Sequence, residues 1–119
     1  PEKMPKRFDT RFYIAAAPEG HVGKHDGNES VDSIWINPQQ ALDDCLSRKR
    51  NIIFPTRLNL EKLNQSKTVA EAMQNAKSSN IVKVTPLIEK LDEEIFITIP
   101  KEAGYGEIKE AINYKRTIN

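Results

Sequence analysis

The chain has 119 residues, of which 38% are hydrophobic and 29% are charged, so it has room for one domain with a thin core. Its 18 basic and 17 acidic residues leave a formal net charge of +1, which excludes the basic field that nucleic-acid binding requires. The sequence shows no signal peptide and no apolar run of about eighteen residues. We therefore expect a cytoplasmic protein without a membrane segment.

Two stretches in the first third of the chain are typical of β-strands. Residues 8–18, FDTRFYIAAAP, concentrate aromatic and β-branched side chains and end at a proline. Residues 30–37, SVDSIWIN, alternate apolar and polar positions. The segment between them is dense in Gly, Asn, Asp and Ser, which predicts a loop. Antiparallel pairing of the two strands across this loop is one possible arrangement.

Two helices are expected next along the chain. Asn37 can cap free backbone amides, and Pro38 suits the first helical position, where its missing N–H costs nothing. The apolar residues that follow recur at helical spacing, so the first helix is expected over residues 38–48. A short apolar link then ends at Pro55, and the second helix is expected to begin at Thr56.

The remaining elements are a third helix and a hairpin. Thr68 is followed three positions later by a glutamate, the capping-box pattern, and predicts a helix that ends near residue 78. Residues 81–84 and 95–99 are rich in β-branched side chains and are separated by an acidic turn at 92–94. This pattern predicts a β-hairpin, after which a weakly helical polar tail follows.

These elements predict one α+β domain over residues 1–119, with a mixed or antiparallel sheet of about four strands and about three short helices. The single cysteine, Cys45, excludes an internal disulfide and is expected to be a buried, inert thiol on a helix. His21 and His25 lack the spacing of a metal pair on one helix. The basic triplet 48–50 has two interpretations, a helix end that offsets the macrodipole or a phosphate-binding group.

An ordered series of short motifs points to a family. The series comprises RFDTRF at 7–12, HDG at 25–27 followed by Glu29, Trp35, Pro38 with Ala41-Leu42, FPT at 54–56, and a leucine-rich segment at 58–63. In this order and spacing, residues 3–65 resemble one branch of the Nudix hydrolase superfamily, similar to the enzymes that act on coenzyme A-type substrates. Residues 81–106 resemble it more loosely. The resemblance implies part of an αβα sandwich and a nucleotide or CoA-like ligand.

The catalytic Nudix box, G-x5-E-x7-R-E-U-x-E-E-x-G-U with U a bulky aliphatic residue, is absent from this sequence. Its clustered glutamates bind divalent cations, so the resemblance implies Mg²⁺ or Mn²⁺ for the complete domain and no cofactor in this chain. The only segment that could be aligned with the box places Glu93-Glu94 at the two adjacent glutamates of the pattern. Five required positions then carry the wrong residue, namely Asn75, Ile81, Glu89, Lys90 and Phe96.

In the family the box precedes the RFDTRF strand, so we expect the missing piece to lie before Pro1. The chain is then expected to be inactive alone and to have no catalytic residues of its own. A partial domain would expose sheet surface that the absent part covers, which predicts self-association, with a homodimer as the simplest closed form. A non-catalytic ligand-binding or self-assembling module of Nudix ancestry is the alternative.

Five residues are candidates for a functional site. On a strand, Arg7, Asp9 and Arg11 would point to one face, either as a substrate-binding patch for phosphate or as a solvated Asp–Arg ion pair. Glu29 is placed to act as a general base or an additional metal ligand, although an exposed loop glutamate is the simpler interpretation. Trp35 is a core residue, an aromatic wall or a substrate-binding residue that stacks on a base.

Overall fold

The computed structural model describes residue 6, residues 8–106 and residues 108–112. It contains three α-helices, α1 (Pro38–Leu46), α2 (Phe54–Asn64) and α3 (Val69–Ser78). Three strands follow, β1 (Leu87–Leu91), β2 (Glu94–Ile99) and β3 (Ile108–Ala111), with a 3₁₀ turn at Lys101–Ala103. The strands form one antiparallel sheet in the order β1-β2-β3. The predicted α+β class is therefore confirmed, with three described strands instead of four.

The chain divides into two compact units. The helical unit is Tyr13–Ser79 and contains all three helices. The sheet unit comprises Pro1–Phe12 together with Asn80–Asn119 and contains the three strands. No helix in the described part of the chain is both long and apolar enough to cross a membrane.

The starts of α1 and α3 follow the capping chemistry expected from the sequence. The Asn37 side chain accepts a hydrogen bond of 2.8 Å from the backbone N–H of Gln39. The Thr68 hydroxyl accepts one of 3.1 Å from the N–H of Glu71, whose carboxylate in turn accepts from the N–H of Lys67 at 3.1 Å. These bonds satisfy amides that have no partner inside a helix, so both predicted starts are confirmed.

Helix α2 begins two residues earlier than expected. It starts at Phe54, so Pro55 lies in the first turn and does not end the preceding link. A proline is tolerated there because the amides of the first turn have no carbonyl to bond within the helix. Within α2, Arg57 forms an ion pair of 2.6 Å with Glu61 and lies 5.5 Å from the centroid of the Phe54 ring.

The helical unit has a small core. Ala41, Leu58 and Ala72, one residue from each helix, are its buried apolar residues, and Leu58 is only 3% exposed. Helices α1 and α2 pack against each other, and the Asn64 side-chain amide donates to the Gln39 side-chain oxygen at 2.7 Å between them. Cys45 is half-buried on α1, less enclosed than predicted.

The two strands predicted at residues 8–18 and 30–37 are wrong. Neither stretch has regular secondary structure, and residues 8–24 are exposed throughout. β-Propensity describes how well a side chain fits a paired and partly buried surface, so it produces a strand only where a neighbouring strand completes the ladder. The sheet of the structure is built elsewhere, by β1, β2 and β3.

The predicted hairpin is present, but its first arm lies further along the chain. Leu91 pairs with Glu94 across the two-residue turn Asp92-Glu93, and the ladder extends to Leu87 opposite Thr98. Residues directly before a tight turn must face those directly after it, so β1 cannot be the earlier apolar run at 81–84.

The tail prediction is corrected by β3. Residues 108–111 form a strand antiparallel to β2, where a weakly helical end was predicted. Pairing places Ile97 opposite Ile88, and Ile99 opposite Ile108, so these four isoleucines share one face of the sheet. Ile99 on this face is buried at 7% exposure, as is Ala103 in the 3₁₀ turn at 9%.

Candidate functional site

The predicted Arg7, Asp9 and Arg11 patch depends on a strand that the structure does not form. Arg7 lies outside the described residues, while Asp9 and Arg11 are exposed in a segment without regular secondary structure. Asp9 lies 3.9 Å from the ammonium group of Lys83, and both side chains are about three-quarters exposed, at 77% and 75%. Solvent screens such a pair, so it holds the segment only weakly.

The HDG motif forms a tight loop organised by Asp26. One carboxylate oxygen of Asp26 accepts hydrogen bonds from the backbone N–H groups of Ser30 at 2.9 Å and Asn28 at 3.1 Å, and the other accepts from Glu29 at 3.4 Å. These bonds lower the pKa of Asp26, with Ser30 the largest contributor. Gly27, at φ 80°, supplies the left-handed backbone that the turn needs. Asp26 therefore anchors the loop.

Glu29 and His25 lie in and beside this loop. The Glu29 side chain is exposed, and only its backbone N–H takes part in the Asp26 turn. His25 is half-buried, and its Nδ1 atom is buried with no hydrogen-bond partner in the described structure. Across residues 8–106 and 108–112, three or more His, Cys, Asp or Glu side chains nowhere come close enough to hold a metal ion.

Trp35 forms part of a concave site in the helical unit. A cavity of about 410 Å³ is partly open to solvent and is lined by Val22, Gly23, Ser33, Ile34 and Trp35. Trp35 is the only tryptophan of the chain and is 69% exposed. The sequence indicated Trp35 but not Val22 and Gly23, because these two residues lie in a segment predicted only as a loop.

A buried charge on α1 was missed by the sequence analysis. Asp44 is 4% exposed and accepts hydrogen bonds of 2.9 Å from the Gln40 side chain and 2.9 Å from the Arg50 guanidinium. The Gln40 bond first, and then Arg50 and the charge of Lys49, hold the pKa of Asp44 below its ordinary value although burial opposes this. Arg50 of the basic triplet therefore ties the link after α1 back to the helix.

The Asp44 contacts give a prediction for acid stability. The pKa of Asp44 is lower in the folded than in the unfolded chain. Its contribution to the free energy of unfolding is therefore present above the ordinary pKa of about 3.8 and is lost as the pH falls through the folded value. We expect Asp44→Asn to be less stable than the parent at pH 7, with a smaller difference at pH 3. Urea unfolding at both pH values measures this.

Asp43→Asn is the matched control, because Asp43 is the neighbouring residue on α1 and is exposed. It is expected to unfold close to the parent at both pH values. An Asp44→Asn variant that loses as much stability between pH 7 and pH 3 as the parent would show that Asp44 does not contribute to the acid dependence.

One curated protein supplies a comparison for the whole chain. Over 116 residues, or 95% of the chain, the sequence is 26% identical to the acyl-coenzyme A diphosphatase NUDT19 of Xenopus laevis. The chain spans 30% of the length of that relative. No family model matches the chain. No solved structure matches it either. The likeness to NUDT19 supports Nudix ancestry.

Proposed function

We propose that this chain is the later part of a Nudix-type pyrophosphohydrolase domain that acts on nucleoside-diphosphate-linked or CoA-like substrates in the cytoplasm. The observation that carries the proposal is the likeness to a Nudix acyl-coenzyme A diphosphatase over 95% of the chain. The match covers 30% of the length of that relative, which supports the partial-domain part of the proposal. The motifs at 7–12, 25–29 and 35–42 lie within the matched length and support the same descent.

Exposed aromatic residues near the start of the chain support the partial-domain part of the proposal. Phe8, Phe12 and Tyr13 are 82%, 67% and 86% exposed, within a stretch whose sequence is typical of a strand. Burying one such side chain stabilises a fold by about 1.5–3 kcal/mol. Three of them in water therefore indicate a surface that a larger structure would cover. In the proposal the rest of the Nudix domain provides that cover.

The catalytic chemistry of the complete domain depends on the box. Divalent Mg²⁺ or Mn²⁺ held by its glutamates would neutralise the diphosphate and activate water. The described residues supply no such cluster, so they do not fit a metal centre. Within the proposal Arg7 and Arg11 contact phosphate oxygens, Trp35 contacts the base, and Glu29 is a general base beside the completed centre.

The first test is an assay of the chain alone. We expect no turnover of coenzyme A, acyl-coenzyme A or dinucleoside polyphosphates with Mg²⁺ or Mn²⁺, measured by product chromatography, because the carboxylate cluster is missing from the sequence. The Xenopus laevis relative, assayed under the same conditions, is the positive control. Metal-dependent hydrolysis by this chain would contradict the proposal that the chain is inactive without the Nudix box.

The second test is the DNA on either side of the reading frame. Coding sequence in the same frame that supplies a Nudix box before Pro1 is the expected result. A stop codon followed by a ribosome-binding site directly before Pro1 would instead favour the second candidate function, a short non-catalytic module of Nudix ancestry.

The exposed aromatic residues also support the predicted self-association of the chain. A second copy of the chain can cover Phe8, Phe12 and Tyr13, and a homodimer is the simplest closed assembly. Light scattering coupled to gel filtration measures the mass directly. A dimer that persists on dilution would support self-association, which both candidate functions predict, whereas a monomer at high concentration would contradict it.

A further inference from the structure

Asp26 and Gly27 are the only Asp-Gly or Asn-Gly pair of the sequence. An aspartate followed by glycine can isomerise without an enzyme, because glycine has no side chain to shield the amide nitrogen next to the carboxyl group. The Gly27 nitrogen attacks Cγ of Asp26, and a C–N bond forms as the carboxyl hydroxyl and the amide proton leave as water. Water then adds at the main-chain carbonyl of the resulting ring and breaks its bond to the Gly27 nitrogen. The product is isoaspartate, in which the backbone runs through the former side chain.

We propose that Asp26-Gly27 is a latent modification site, at which isoaspartate forms when the loop opens and is prevented while Asp26 anchors the loop. Asp26 is exposed, so water reaches the site in the folded chain. At Gly27, whose φ is 80°, an added Cβ atom would meet nothing within 4 Å. Packing therefore does not block the attack, and the protection has to come from hydrogen bonds.

The first protection is the fixed position of the Asp26 carboxylate. Ser30 and Asn28 donate their backbone N–H groups to one oxygen at 2.9 and 3.1 Å, and Glu29 donates to the other at 3.4 Å. The carboxylate cannot turn toward the Gly27 nitrogen without breaking these bonds. They also hold the pKa of Asp26 below its ordinary value, with Ser30 the largest contributor. The charged form that this favours cannot lose hydroxyl as water.

The second protection is on the attacking nitrogen. The backbone N–H of Gly27 donates a hydrogen bond of 2.9 Å to the carbonyl oxygen of Ser30. This nitrogen has to give up its proton and turn toward Cγ of Asp26 before it can attack, so the bond to Ser30 must break first. Residues 26–30 thus hold both reacting groups apart through one turn, and opening that turn releases both together.

Isomerisation would not be reversed by closing the loop again. In isoaspartate the carboxylate is attached directly to Cα, so its reach is one methylene shorter, and the main chain is one methylene longer. The shorter group cannot restore the bond across four residues to the Ser30 N–H. We therefore expect a modified chain to keep this loop open, so that isoaspartate accumulates as a record of earlier opening.

The rate of isoaspartate formation in the full chain tests the proposal. Folded chain and chain denatured in guanidinium chloride are incubated at neutral pH and digested with trypsin, which releases residues 25–48 as one peptide. Mass spectrometry with fragmentation that distinguishes the two isomers then measures isoaspartate at position 26. Because only molecules with an open loop can react, we expect formation at least about tenfold slower in the folded chain. Equal rates would overturn the proposal.

Substitution of Ser30 tests which bonds protect the site. Ser30→Pro removes the N–H that bonds Asp26 but leaves the Asp-Gly pair intact, and is expected to raise the folded-state rate about two- to tenfold, the equivalent of one hydrogen bond. Ser30→Ala is the matched control, because it keeps this N–H and removes only the hydroxyl. It is expected to react at the parental rate, and an equal rise in both variants would contradict the role of the Asp26 bonds.

Asp32-Ser33 is an internal reference in the same tryptic peptide. Its Asp32 carboxylate accepts a hydrogen bond of 2.8 Å from the Ser33 N–H and is not part of the Asp26 turn. In Ser30→Pro we expect the rise to be confined to position 26, with the helices intact by circular dichroism. An equal relative rise at position 32 would show that the fold as a whole protects both sites, and would overturn the assignment to the Asp26 turn.

Discussion

Replacing Leu58 by alanine is expected to destabilise the helical unit by about 2–5 kcal/mol, the range for removing a large aliphatic side chain from a closed core. Leu58 is 3% exposed on α2, in the unit where α1 and α2 pack against each other. The other buried apolar residues of this unit, Ala41 and Ala72, are small, so Leu58 is the largest apolar side chain that the unit buries. Urea unfolding followed by far-UV circular dichroism measures the loss.

Leu46→Ala is the matched control for this substitution. Leu46 has the same side chain on the adjacent helix α1 but is 83% exposed, so its truncation is expected to change stability by less than about 0.5 kcal/mol. Equal losses in the two variants would show that Leu58 is not the centre of the helical core.

In the sheet unit, the largest expected effect comes from Ile99→Ala. Ile99 ends β2, is 7% exposed and lies opposite Ile108 on the face of the sheet that carries the isoleucines. Its truncation removes the packing that holds β3 to the hairpin and is expected to cost about 2–5 kcal/mol. Amide hydrogen exchange of β2 and β3 provides a local measurement, because it reports opening of the sheet separately from the helices.

The control for Ile99 is Leu87→Ala. Leu87 begins β1 and is 48% exposed, so its truncation is expected to cost less than about 1 kcal/mol. If Leu87→Ala opened the sheet as much as Ile99→Ala, the face containing Ile99 would not be the stabilising side.

The helices could be predicted because their signals are local. A cap such as Asn37 or Thr68 acts on amides two or three residues away, and both caps are made as the sequence predicted. The earlier start of α2 was missed because Pro55 is compatible with two local structures. It can end an extended link or occupy the first turn of a helix, and only the backbone geometry at Phe54 decides between them.

The early strands could not be predicted because a strand depends on residues far away in sequence. Residues 8–18 carry strong β-propensity, yet propensity does not specify a partner strand. Of the predicted hairpin, only the second arm at residues 95–99 lies where it was expected, because the first arm is β1, directly before the two-residue turn Asp92-Glu93, and not residues 81–84. The strand prediction was correct only for residues 95–99, whose partner strand lies close in sequence.

The candidate site was predictable only where single residues stood out. Trp35 could be named from sequence, but the contribution of Val22 and Gly23 to the same cavity depends on the path of an irregular segment, which has no local sequence signal. Asp44 was missed because a carboxylate on an amphipathic helix is normally assigned to the solvent side. Its burial is stabilised by Gln40 one turn earlier and by Arg50 beyond the helix end, and the Arg50 contact does not follow helical periodicity.

The sequential order β1-β2-β3 has a consequence for how the chain folds. Each strand pairs with the one next to it in sequence, so forming the sheet requires only short loops to close. Loop closure of this kind is fast, and β-hairpins form within about 1–10 μs. The meander can therefore assemble as soon as its residues leave the ribosome, without waiting for any distant part of a longer polypeptide.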